Sequence, residues 1–277
     1  MVYSIGFKEK PLPSTVDLTP YTFLREDTVQ PTSGDYSIFK QFDFERSPVG
    51  VKFLLNKPEG IGRLDKELAL CEMFKEAQER SPFFVSRENF ACLGSLVLGM
   101  REPEPIFIAG EIGAKEGLYK EARANKRIYQ YVPKLPKDTV RYVVFSPIDG
   151  ISFDPDILII TANVSQAEII LRAYTYTTGK MLTTKSTPVI MCSWLFVYPY
   201  VSGELNYTVT GLGSGMKARN VLPEGLMLLS VPFDLLPMLT ENLQDMQWVL
   251  PLHNIADDDT EYFTRVTEEI RQEYTDG

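Results

Sequence analysis

Residues 140–174, VRYVVFSPIDGISFDPDILIITANVSQAEIILRAY, constrain the fold more than any other stretch of the chain. Val140, Tyr142, Val143, Val144 and Phe145 make a β-branched and aromatic run, closed by a turn cluster of Ser146, Pro147, Asp149 and Gly150. A second apolar run, residues 157–160, starts after Pro155, and the two read as buried strands. Beyond them Asn163 or Ser165 can cap a helix, with Glu168 in its first turns and Ala167, Ile170, Leu171 and Tyr174 recurring at helical spacing. Strand, loop, strand, helix is a unit that needs a sheet with helices laid on it.

A second stretch repeats that order. Residues 205–210 alternate as a strand, GLGSGMKARNVLPEG leads to an apolar strand at 226–231, and a helix follows from Pro232 to about residue 243. Each unit places a proline and an acid before its second strand, Pro155 and Asp156 in one and Pro223 and Glu224 in the other. The expectation is an α+β fold with a single mixed sheet, helices packed on it, and a degenerate ββα duplication whose units share that sheet. Its strands lie near Val51, Ile106, Val143, Ile159, Thr208 and Leu228. Residues 1–45, with Pro11, Pro13, Pro20 and Pro31, read as an extended arm, 46–250 as the core domain and 251–277 as an acidic helical tail.

Between the first strand and the 140–174 unit, Leu64, Leu68, Cys71 and Phe74 share one face, predicting an amphipathic helix over 64–80. Ser86 can cap a second helix over 87–100, apolar nearly all round, in which Ala91, Ser95 and Gly99 form a ridge of small side chains beside Cys92. Residues 106–109 then read as a short strand entering GEIGAKEG. The following basic residues, Lys115, Lys120, Arg123, Lys126 and Arg127, alternate with Glu116 and Glu121 as a charged helix face. The GK[ST] of a phosphate-binding loop is absent.

Charge and residue usage then remove whole classes of function. A net charge of −9 opposes binding to nucleic acid or anionic lipid. The apolar run at 189–201 is interrupted by Pro199 and falls short of the roughly 20 residues of a membrane span. The first residues lack the basic and then apolar layout of a signal peptide, so the expected location is cytoplasmic. With His253 as the one histidine, sites built on two histidines are excluded within a single chain, and with them most zinc-hydrolase layouts. No reaction is assigned.

Several segments taken together resemble one family. SPVGVKFL, CEMFKEAQ, ENFACLGSLVLGM, SPIDGISFDPDILIITANVSQAEIIL and GLGSG are similar to the domain-of-unknown-function 169 family, also called ArCR, over roughly residues 48–243. The resemblance implies no reaction or cofactor. It does imply that the loop holding Leu212 carries a further cysteine in some members, so a four-thiolate site is not expected in this chain.

Two ligand chemistries remain open, with a third reading as an assembly protein. Gly211, Gly213, Ser214 and Gly215 at a strand end can present N–H groups to a small anionic or acyl ligand, with Lys217 and Arg219 supplying positive charge. Alternatively Cys71, Cys92 and Cys192 hold a zinc ion or an iron–sulfur cluster with one position open, because thiolate is the soft ligand both prefer. Their spacing argues for separate buried thiols instead, since they lie 21 and 100 residues apart and no CxxC occurs. The third reading is a homo-oligomeric accessory protein that associates through the arm and through Tyr198, Tyr200 and Trp248.

Overall fold

The structure, a computed structural model, describes residue 29 and residues 34–254 and 260–276. Most of the expected arm, residues 1–28 and 30–33, and the aspartates at 257–259 lie outside the described residues. Among the described residues seven strands form one sheet: β1 (Val49–Leu54), β2 (Gly62–Arg63), β3 (Phe83–Ser86), β4 (Tyr142–Pro147), β5 (Ile157–Ala162), β6 (Asn206–Val209) and β7 (Met227–Pro232). Their order is β2-β3-β4-β1-β5-β7-β6, with β2 and β3 parallel and every other pair antiparallel, so the sheet is mixed and the fold α+β. The longer helices are α1 (Leu70–Glu79), α5 (Ala122–Tyr131), α6 (Val164–Tyr176), α9 (Leu236–Asp245) and α10 (Thr260–Asp276). Short ones connect them: α2 (Gly94–Val97), α3 (Pro105–Ile108), α4 (Glu111–Lys115), α7 (Tyr198–Ser202) and α8 (Ser214–Ala218).

Both faces of the sheet are covered, which is why β5 reads as a continuous apolar run rather than an alternation. Ile157 and Ile159 enter a core with Val51, Phe145, Phe74 of α1 and Phe196. Leu158 and Ile160 enter the opposite core, with Ile170 of α6 and Leu239 of α9. Phe39 and Phe42 of a 3-10 turn, Ser37–Phe42, pack into that second core, so this part of the expected arm belongs to the folded body. Asn163 caps α6 as its sequence suggests, accepting the Gln166 N–H at 2.9 Å while Gln166 Oε1 accepts the Asn163 N–H.

The proline–acid pair at 155–156 has a structural use. β5 pairs with β1 only from Val49 to Val51, and beyond that point Asp156 replaces the missing partner. Its N–H donates to Val51 O at 2.8 Å, and its Oδ2 accepts the Phe53 N–H at 2.7 Å. Lys52 Nζ lies 4.0 Å from Asp156 Oδ1 and donates to Asp154 O at 3.0 Å, and both charged residues are buried. The two expected units share one sheet, but they are not built alike. β4 and β5 lie on either side of β1, whereas β6 and β7 pair directly.

Three expected elements differ. Residues 106–109 are no strand: Pro105 opens α3 from its first turn, where its fixed φ and missing N–H suit a helix. The helix expected from residue 64 begins at Leu70, because Gly62 and Arg63 pair with β3 and Leu68 bridges to Phe90. The helix expected over 87–100 is broken into a 3-10 turn, Arg87–Asn89, and the short α2, directly after β3. The buried Asn89 amide explains the break, accepting the Ser86 N–H at 3.0 Å and donating to Leu64 O and Lys66 O at 2.8 and 2.9 Å. Ala91, Ser95 and Gly99 therefore form no helical ridge. Among the described residues no helix is long and apolar enough to cross a membrane.

Candidate functional site

The aromatic run around Cys192 is helical, with a π turn at Ser193–Val197 leading into α7. Pro199 has no N–H to offer Leu195 O four residues before it, and Ser230 Oγ of β7 donates to that carbonyl instead at 2.5 Å. Asn206 Nδ2 of β6 donates to Trp194 O at 2.8 Å. These bonds anchor the segment to the sheet and hold Cys192 at its N-terminal end. Among helices of this kind, π turns are frequent at functional positions.

Cys92 occupies the loop between the Arg87–Asn89 turn and α2. Its Sγ accepts the Leu70 N–H at 3.3 Å and the Gly94 N–H at 3.2 Å. Gly94 must be small, since a Cβ there would stand 2.7 Å from the Leu70 Cβ and 3.2 Å from the Cys92 sulfur. Cys71 follows Leu70 in α1, so the first two cysteines are brought side by side by the bonds to Cys92 Sγ.

All three cysteines line one cavity of about 460 Å³. Phe107, Ile112, Gly113, Leu118, Asn125 and Tyr129, from α3 to α5, also line it, as do Gly213, Ser214, Gly215 and Arg219. Arg101 completes the charged lining, which among the described residues contains two guanidinium groups and no carboxylate. Arg101 Nη2 donates to Cys92 O at 2.9 Å; Arg219 Nη1 donates to Gly215 O at 2.9 Å, and its Nε is 3.8 Å from Glu72 Oε2.

Burial dominates the chemistry of Cys71 and Cys192. It pushes Cys71 up to about 11, with the neighbouring Cys92 adding to the rise and Arg219 opposing it. Cys192 is raised well above the usual thiol range, by burial first and then by Cys92 and Cys71. The Tyr129 hydroxyl is raised by burial and by Cys192. Asn125, 1% exposed, donates from Nδ2 to Gly110 O at 3.3 Å, while its Oδ1 has no hydrogen-bond partner among the described residues.

Of the glycine-loop residues, Gly213, Ser214, Gly215 and Arg219 reach the cavity, whereas Gly211 is not in its lining. Lys217 is held outside by Glu224 at 3.0 Å. The Ser214 and Leu212 N–H groups are already used, by Pro188 O at 2.8 Å and Val209 O at 3.2 Å, so the loop is not an open cradle of donors. Sequence reasoning missed Arg101, Asn125 and Tyr129, whose approach to the cysteines depends on contacts far apart in the chain. Among the described residues no group of three or more His, Cys, Asp or Glu side chains is disposed to hold a metal ion. His253 is exposed and outside the lining. Tyr198 and Trp248 are engaged within the chain, Tyr198 Oη donating to Glu204 at 2.6 Å and Trp248 Nε1 to Leu243 O at 2.8 Å. The Tyr200 ring meets Phe53 edge-on at 4.9 Å.

One family model, domain-of-unknown-function 169, described as uncharacterised ArCR, matches residues 37–242. That span contains every cavity-lining residue. No curated protein and no solved structure matches the chain.

Proposed function

The chain belongs to the domain-of-unknown-function 169 family, and from the geometry its core presents we propose that the cavity binds a small anionic or acyl ligand. The charge of the lining carries this reading: in a chain of net charge −9, the charged side chains that line the cavity among the described residues are Arg101 and Arg219. Such a lining favours an anion, and the apolar remainder, from Phe107, Ile112, Leu118 and Met191, suits a short hydrocarbon body. Asn125 is also in the lining, with its buried Oδ1 unpartnered among the described residues, so a ligand that brings an N–H or O–H to it, as a hydroxy acid, an amino acid or an acyl amide can, relieves the cost of that acceptor. The reading is of binding; it assigns no reaction.

A thermal-shift screen of small carboxylates, phosphorylated compounds and acyl derivatives tests it. At least one should stabilise the protein, and Arg219→Ala should then weaken that ligand about ten- to a hundredfold, as expected for loss of a hydrogen bond to a charged group. Lys217→Ala, which removes a cation outside the cavity, should leave affinity unchanged. A screen without any stabilising anion, or equal effects of the two substitutions, would reject the reading.

A further inference from the structure

We propose that Cys71, Cys92 and Cys192 together bind a four-iron iron–sulfur cluster at the wall of the cavity, each thiolate holding one iron and the fourth iron facing the open space. Three thiols from separate parts of the chain line one cavity that has neither carboxylate nor imidazole in its lining among the described residues, so the thiols are its strong metal donors and they are soft sulfur. The two backbone N–H groups on Cys92 Sγ are the kind of bond that stabilises and tunes a cluster thiolate. Arg101 and Arg219 offset the negative charge that three thiolates bring.

Size separates a cluster from a single ion. A lone metal requires its sulfurs drawn to about 2.3 Å from one centre. No such group is set among the described residues, whereas a cluster spans several atoms, spreads its ligands further apart, and has room in a cavity of about 460 Å³. The chemistry balances with iron and sulfide supplied as ions: two ferrous and two ferric ions combine with four bridging sulfides and three thiols, three cysteine S–H bonds giving way to three cysteine S–Fe bonds beside the sulfide bridges and releasing three protons to solvent, with no net electron transfer. The cysteines carry this inference without the ligand reading; only the idea that the open iron faces a ligand rests on it.

The test is anaerobic reconstitution of the full chain with equal ferrous and ferric iron plus sulfide, followed by desalting and assay of iron and acid-labile sulfide, with no other ligand present. Iron and sulfide should be retained in equal amounts with charge-transfer absorption in the visible range. Cys71→Ser, Cys92→Ser and Cys192→Ser should each lower iron affinity by more than the about tenfold that even an outer partner of a metal site costs, and Lys217→Ala should not. Circular dichroism checks that each variant is folded. Folded wild-type protein that emerges without iron, retention of zinc alone, or serine variants that keep their iron would each overturn the proposal. The anion screen, run separately on protein freed of metal, fails or succeeds independently.

Discussion

Replacing Asp156 by alanine is expected to cost about 3–5 kcal/mol of folding stability, the range for removing one partner of a buried ion pair. The carboxylate accepts the Phe53 N–H at 2.7 Å and faces Lys52 in the interior, so its loss leaves a β1 donor without its acceptor and a buried ammonium with the Asp154 carbonyl but no counter-charge. Urea unfolding should show a lower midpoint at an unchanged slope. Because the penalty comes chiefly from the unpaired charge, Lys52→Met added to Asp156→Ala should recover part of the loss. Asp156→Ala within about 1 kcal/mol of wild type would mean that solvent reaches this end of β1.

Gly110→Ala is expected to cost about 2–5 kcal/mol and to weaken ligand binding as well. Gly110 has φ +90°, and a Cβ there would stand 2.1 Å from Ala122 O and 2.7 Å from Lys126 N, both backbone atoms of α5. Left-handed strain of about 1–2 kcal/mol adds to an overpacking cost of about 1–3 kcal/mol. Relief requires α4 to move off α5, and with it goes the Asn125 bond to Gly110 O that holds this lining side chain in place. Thermal unfolding and ligand affinity should therefore fall together. Substitution of Gly117, with φ +73° but open space around it, should leave affinity unaffected.

The parts of this fold that were legible in the sequence are those fixed by local chemistry. β5 and α6 follow from an apolar run, a proline and an asparagine cap, and they stand where that pattern places them. The helix expected over 87–100 fails because its small residues happen to recur at helical spacing, while Asn89 ties the backbone to Leu64 O and Lys66 O, partners that no local pattern reveals. β2 and β3 were missed because two and four residues are too few to show a period. The site was half legible. Cysteine chemistry and the glycine loop were visible as separate candidates, but their meeting depends on β1 entering between β4 and β5 and on Pro199 leaving Leu195 O for Ser230.

That meeting is open to direct measurement. A short bifunctional thiol reagent, applied to dilute native protein and followed by peptide mapping, reports which cysteines share a space. Reaction should accelerate as pH rises from about 9, the ordinary thiol value, toward the value of about 11 to which burial moves Cys71, because the thiolate is the reacting form. The expected result is an intramolecular bridge between Cys192 and either Cys71 or Cys92, formed without loss of native circular dichroism and slowed by a saturating cavity ligand. Single-site labelling of Cys192, with every bridge confined to Cys71 and Cys92 or running between chains, would contradict a shared cavity.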